Sequence, residues 1–387
     1  MTNTGHESLR RDVRSTHVGH TIEPGNLLLS ALSDDPPPVT PFEVVYQGGS
    51  VQLRYYHAVG TPHATPLILI YALLKRPFIL DLHPGRSVVE YLTRQGFAVY
   101  LTDWVPPLYE DRRRGFEAYV NHDLAEVVRV VQQRTGVPHV SLLGYSLGGL
   151  LGIVYTALHP TAVKNLLTLM PPLDFGSGVV PWYTSVYSLQ PTILHRILAF
   201  YGNCPAWLMR AAITVMVPSR LSLPLFLRQD LREPALAQAA MPGLAFWRDT
   251  CTFDTGCDTH NDQQDYQELL AALRRWLNSN VPLAGQLCRE LVEDIVNKNL
   301  LVQGRFQVGD QTVNLRHITC PVLNVVAEYD QVVPPNASLP LIDLVGSSDK
   351  QNILCTTGHI GLAISTVAHR RLWPRVGRWL TEHDGPR

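Results

Sequence analysis

A surplus of charge of either sign is absent from this chain: across 387 residues, 32 Lys and Arg face 33 Asp and Glu, for a net charge of −1. Phosphate-rich polymers are held by a basic excess, so no nucleic-acid partner is expected. Long hydrophobic runs are equally scarce. The most continuous one, Leu67 to Leu74, is bounded by Pro66 and Lys75 and falls far short of a bilayer, so it reads as a buried strand and no membrane span is expected. The first thirty residues carry Glu7, Arg10, Arg11, Asp12 and Arg14 and lack an apolar stretch of signal-peptide length, so no export is expected. Six cysteines stand at positions 204, 251, 257, 288, 320 and 355 without the paired spacing of a disulfide framework, which predicts a reducing, cytoplasmic setting. Cys251, Cys257, Asp258 and His260 match no standard zinc spacing, and no phosphate-binding glycine loop or internal repeat occurs. Neither a metal nor a bound cofactor is therefore expected.

What is present is material for a large core. The chain is 45% hydrophobic and only 17% charged, and its length suffices for one catalytic core with an inserted subdomain. Residues 1–40 are polar, end near Pro36-Pro37-Pro38, and read as a loosely held arm. Two alternating runs, Phe42–Tyr46 and Val51–Tyr56, flank Gly48-Gly49 and predict a hairpin. Four β-rich runs follow at Leu67–Tyr71, Ala98–Thr102, Val140–Gly144 and Val163–Met170, with room for helices near 84–95, 116–135 and 147–158. Such alternation predicts an α/β fold: a mostly parallel sheet flanked by helices on both faces.

The alternation stops at Asp174 and resumes near Pro321. Residues 174–320 have helical periodicity broken by prolines, and predict a helical cap inserted into a core made of 41–173 and 321–387. Within that cap, Trp207–Val217 reads as a core-facing helix, with contact to lipid or polymer as the alternative. Two further strands, Pro321–Ala327 and Lys350–Thr356, precede a closing helix over Ser365–His383 that turns Trp373 and Trp379 inward.

The chemistry concentrates at Gly144-Tyr145-Ser146-Leu147-Gly148, a G-x-S-x-G pentapeptide between the strand ending at Leu143 and the helix starting near Leu147. Small flanking residues permit the strained strand-to-helix turn that holds a serine out at the carboxyl edge of a sheet. A serine hydroxyl becomes a useful nucleophile only when a base takes its proton, and the base needs an acid to hold its tautomer. Asp330 lies just past the strand Val322–Ala327, with Glu328 as its rival, and His359 lies just past the next strand between Gly358 and Gly361. The order Ser146, Asp330, His359 is the one expected of an α/β-hydrolase fold. The oxyanion of an acyl-transfer intermediate would then meet the backbone N–H groups of Leu147 and of Leu73 or a residue beside it.

Beyond these residues the chain resembles the polyhydroxyalkanoate synthases, most closely the short type that works with a second subunit. The likeness runs from about residue 40 to 380. It is carried by Leu67–Leu73 with Ile79–Ser87, by Thr102-Asp103-Trp104, by His159-Pro160 through Pro172-Leu173-Asp174-Phe175, by Asn299–Gly304, by Ile318–Asn324, and by the Asp330 and Gly358-His359 segments. The resemblance implies a 3-hydroxyacyl-coenzyme A substrate, a chain held on the nucleophile, Asp330 and His359 in the family's acid and base roles, a second synthase subunit or a homodimer, and work at polyester granules. The chain departs from the family at the nucleophile, which is a cysteine there and Ser146 here. A thiolate exchanges readily with a thioester, whereas serine forms an oxygen ester of lower energy.

Three readings therefore stay open: an acyltransferase of the polyester-synthase kind, a serine esterase or polyester depolymerase on the same scaffold, and a non-catalytic granule or subunit binder. The cap arginines Arg210, Arg220, Arg228, Arg232 and Arg248 read as solvated surface, with coenzyme A phosphates as the alternative.

Overall fold

The structure is a computed structural model that describes residues 37–176, 191–208, 260–330 and 332–385. Eight strands form one sheet: β1 (Glu43–Gly48), β2 (Val51–Tyr56), β3 (Leu67–Ile70), β4 (Val99–Trp104), β5 (Val140–Tyr145), β6 (Val163–Leu169), β9 (Val322–Ala327) and β10 (Lys350–Cys355). A separate two-stranded hairpin, β7 (Gln307–Val308) and β8 (Gln311–Thr312), precedes β9. The main sheet has the order β1-β2-β4-β3-β5-β6-β9-β10, antiparallel at β1–β2 and β2–β4 and parallel from β4 onward.

The central strands bury every residue, as near-continuous apolar runs must when helices cover both faces of a parallel sheet. Covering them are α1 (Val88–Arg94), α2 (Ala125–Thr135) and α3 (Leu147–Leu158). Ser87 caps α1 by accepting from the Glu90 N–H at 2.8 Å, and Gly136, at φ 72°, ends α2 in the left-handed conformation that glycine adopts without penalty.

From the inserted region the structure describes α4 (Pro191–Tyr201), α5 (His260–Asn278), α6 (Gly285–Glu290) and a further helical stretch at Leu291–Asn297. The hairpin β7–β8 also lies in this region, where the sequence predicts helices alone. Its strands are two residues long around Gly309-Asp310, too short to show alternation. The arm up to residue 36, the five cap arginines, and Cys251, Cys257 and Asp258 fall outside the described residues, as does Trp207–Val217 beyond Leu208. Trp207 itself is exposed.

The closing helix is interrupted. A short turn at Gly361–Ile364 gives way at Ser365, whose hydroxyl accepts from the Ala368 N–H at 3.0 Å, and helix resumes to end as α7 (Trp373–Glu382). Trp373 and Trp379 are both buried, as the sequence predicts. Among the described residues no helix is long and apolar enough to cross a membrane.

Candidate active site

Parallel strands deliver their carboxyl ends to one edge, and register shows which loops meet there. Tyr145 of β5 pairs with Leu169 of β6, Leu169 with Val325 of β9, and Ala327 of β9 with Cys355 of β10. The loops that leave β5, β9 and β10 therefore share a rim, although they lie far apart in sequence.

Ser146 makes the turn from β5 into α3. Its φ of 54° and ψ of −121° place a residue with a side chain where such residues rarely sit, and its N–H donates to the Leu169 carbonyl at 2.7 Å. The flanking glycines are dictated by space. A Cβ at Gly144 would stand 2.4 Å from the Gly149 Cα, and one at Gly148 would stand 2.1 Å from the Ile70 carbonyl oxygen. The second contact has a further meaning: the start of α3 abuts the end of β3, so the loop that begins at Tyr71 lies against the elbow.

Asp330 and His359 meet directly. The His359 Nδ1 lies 2.5 Å from Asp330 Oδ2, and both residues are buried. The other carboxylate oxygen, Oδ1, accepts from the backbone N–H groups of Val332 and Val333 at 2.7 and 2.8 Å, which fixes the carboxylate plane. This geometry holds the imidazole with Nδ1 toward Asp330, so that Nε2 is the nitrogen that could exchange a proton. Glu328, the rival acid, is exposed; its backbone N–H donates to the Cys355 carbonyl, and that of Tyr329 donates to the Thr357 carbonyl, so the acid and base loops are stitched together.

The base loop is also tied to the elbow. Tyr145, the residue before Ser146, donates its hydroxyl to the His359 carbonyl at 2.7 Å, and its ring meets the imidazole edge-on at 5.3 Å between centroids. Burial pushes this phenol well above its ordinary pKa, so it stays a donor at any working pH. On its other side Tyr145 stacks with Tyr71 at 5.7 Å. The Trp276 indole of α5 donates to the Tyr71 hydroxyl and to the Arg76 carbonyl, both at 3.1 Å. Neither Tyr145 nor Tyr71 is marked by the sequence as functional, because their partners lie on remote segments.

Leu147 opens α3, and the first N–H groups of a helix have no partner within it. Leu73 is buried in the loop after β3 that abuts the elbow. That loop is held rigidly. The Tyr71 N–H donates to Thr102 Oγ1 at 3.1 Å, the Tyr71 carbonyl accepts from the Trp104 indole at 2.7 Å, and Lys75 Nζ donates to the Leu277 carbonyl and Asn280 Oδ1 at 2.8 and 2.9 Å. A preorganised loop is what an oxyanion donor requires. Among the described residues no cluster of three metal-ligating side chains occurs.

The sheet edge thus brings together the parts that acyl transfer would need: a strained serine at a helix start and a buried His–Asp pair on an adjoining pair of loops. Comparison with known proteins places the chain in a family. Residues 65–362 match the model of the alpha/beta hydrolase fold family. The chain is 32% identical, over 89% of its length and 64% of the relative's, to the poly(3-hydroxyalkanoate) polymerase subunit PhaC of Haloferax mediterranei, so it spans just under two thirds of that protein. It is 30% identical, over 89% of both chains, to the PhaC subunit of Allochromatium vinosum. Among solved structures, the monoacylglycerol lipase of Paleococcus ferrophilus shares the fold with a TM-score of 0.50 at 15% identity, covering 86% of this chain and 99% of that one. The chain belongs to the PhaC family of poly(3-hydroxyalkanoate) polymerases, built on the alpha/beta hydrolase fold.

Proposed function

We propose that the chain is an acyltransferase of the polyester-synthase kind, which draws 3-hydroxyacyl groups from coenzyme A thioesters through a covalent acyl-Ser146 intermediate. The observation that carries this reading is its relation to the Allochromatium vinosum polymerase subunit, which spans nearly all of both chains. In the first half-reaction His359 Nε2 takes the proton from Ser146 Oγ as the oxygen attacks the thioester carbon. Asp330 steadies the imidazolium, and the N–H groups of Leu147 and Leu73 receive the negative charge that develops on the carbonyl oxygen. Collapse expels coenzyme A as the thiol, with the proton from His359. In the second half-reaction the hydroxyl of another hydroxyacyl unit attacks the acyl-serine, His359 again moves the proton, and Ser146 is released.

Ser146 favours a second reading, a serine esterase or polyester depolymerase. Passing the chain from this oxygen ester to another hydroxyl exchanges one ester for another with little driving force, whereas hydrolysis by bulk water stays downhill, which favours water in the second half-reaction. Supplying 3-hydroxybutyryl-coenzyme A separates the two. Insoluble polymer with released coenzyme A supports the synthase, whereas free hydroxy acid supports the hydrolase. Absence of turnover of this and of any activated ester overturns both and leaves a non-catalytic granule or subunit binder. The relatives' designation as a polymerase subunit supports a partner chain, and a polyester substrate supports work at a granule surface.

A further inference from the structure

A groove of about 760 Å³, whose lining does not include Ser146, lies between the short helix at Tyr109–Arg113, α4 and α6. Because β4 runs parallel to β3, the chain leaving its carboxyl end carries Tyr109–Arg113 from the same sheet edge as the elbow. Three arginines line the groove: Arg112, Arg113 and Arg289. Among the described residues none of the three makes a close ion pair with a carboxylate; Arg112 Nη1 donates to the Tyr109 carbonyl at 3.0 Å, and the charge of Arg289 acts on neighbouring Glu290. The one acid in the lining, Glu293, lies 2.5 Å from Nε2 of His195, which lines the same groove.

The groove is built rather than incidental. The side chain of Asn203 donates to the Leu108 carbonyl at 2.7 Å and accepts from the Gly285 N–H at 3.3 Å, joining all three walls. A Cβ on Gly285 would lie 2.1 Å from the Gly202 carbonyl oxygen, so the floor is closed by backbone against backbone. At the mouth Tyr109 is exposed, with the Arg112 guanidinium 4.3 Å over its ring. Guanidinium forks without carboxylate partners match phosphate oxygens, and an exposed aromatic ring with a stacked arginine suits a flat heterocycle.

We propose that this groove takes the nucleotide end of a coenzyme A thioester, with Arg112, Arg113 and Arg289 on its phosphates and Tyr109 beside the adenine. The assignment rests on the reading of the chain as a coenzyme A-dependent acyltransferase, and it supplies what that reading leaves open, the anchor for the part of the substrate that does not react. Remote anchoring lets binding energy position the thioester at the nucleophile.

Two measurements on the full chain test it. In the first, adenosine 3′,5′-bisphosphate, inorganic phosphate and adenosine are titrated calorimetrically into the protein and into an Arg112→Gln/Arg289→Gln variant whose melting temperature confirms folding. The bisphosphate should bind, and the variant should bind it at least about tenfold more weakly, since charge-assisted hydrogen bonds are lost. Equal affinity in the two proteins, no binding at all, or inorganic phosphate binding as well as the bisphosphate overturns the nucleotide assignment. In the second, both proteins are pulsed with 3-hydroxybutyryl-coenzyme A and the acyl adduct on Ser146 is followed by intact mass. Adduct formation with the same concentration dependence in both sinks the groove while the acyltransferase reading stands. Bisphosphate binding lost in the variant, without any adduct in either protein, overturns the coenzyme A assignment along with the acyltransferase reading.

Discussion

The hydroxyl of Tyr145 donates to the main-chain carbonyl of His359 across 214 residues of sequence, while its ring lies against the imidazole edge. The residue that precedes the serine thus holds the loop that carries His359. Replacing Tyr145 by Phe keeps the ring contact and removes the donor, leaving a buried carbonyl without that partner. The expected outcome is a several-fold fall in kcat with KM little changed, and a Tm lower by a few degrees. An unchanged kcat would show that the base loop holds its position without this bond.

Asp330→Asn should be far more damaging. An amide at this position cannot balance the imidazolium and favours the wrong tautomer, which lowers kcat by at least about a hundredfold. Glu328→Gln, on an exposed side chain, should leave kcat within about twofold, as surface changes commonly do. Steady-state rates on an activated ester for the two variants decide which carboxylate serves the histidine.

Gly148→Ala tests the elbow. Its Cβ would overlap the Ile70 carbonyl oxygen, and neither backbone can retreat without moving β3 or α3. Overpacking of this kind costs about 2 kcal/mol or more. Chemical denaturation should report that loss, and turnover should fall with it, because the same shift disturbs the loop after β3.

The pH dependence of stability should show the hold on Asp384. Burial alone would raise this carboxyl, but the backbone N–H groups of Ala64 and Thr65, each at 2.9 Å, and the side chains of Thr65 and His63 outweigh it and hold the pKa below the ordinary 3.8. A lowered folded-state value contributes stability that is complete above the unfolded value and disappears as pH falls through the folded one. The stability difference between the wild type and Asp384→Asn should therefore be constant near neutrality and shrink as pH drops below about 4. A difference that stays flat to pH 2 would remove Asp384 from the account of acid sensitivity.

Much of this was legible in the chain because burial writes itself into composition. Strands covered on both faces become unbroken apolar runs, so Leu67–Ile70, Val140–Leu143 and Val322–Ala327 announce themselves. The elbow is legible for the opposite reason: Gly144 and Gly148 stand where no side chain fits. Asp330 and His359 stand out because each follows a strand, and register does the rest. Tyr145 was opaque, since it fills the unconstrained position of the pentapeptide and its partner is fixed only by the packing of β5 against distant loops. Tyr71, Lys75 and Trp276 were opaque likewise, since nothing local distinguishes a buried lysine that caps a helix from one that merely ends an apolar run. The hairpin β7–β8 left no periodic trace at all.

The lysine that closes the C-terminal end of α5 sits two residues from Leu73 on the same short loop, and the tryptophan beside that end reaches Tyr71. The helix α5 and the loop after β3 are therefore tied into one mechanical unit. A displacement of α5 would have to carry that loop with it or break the lysine free.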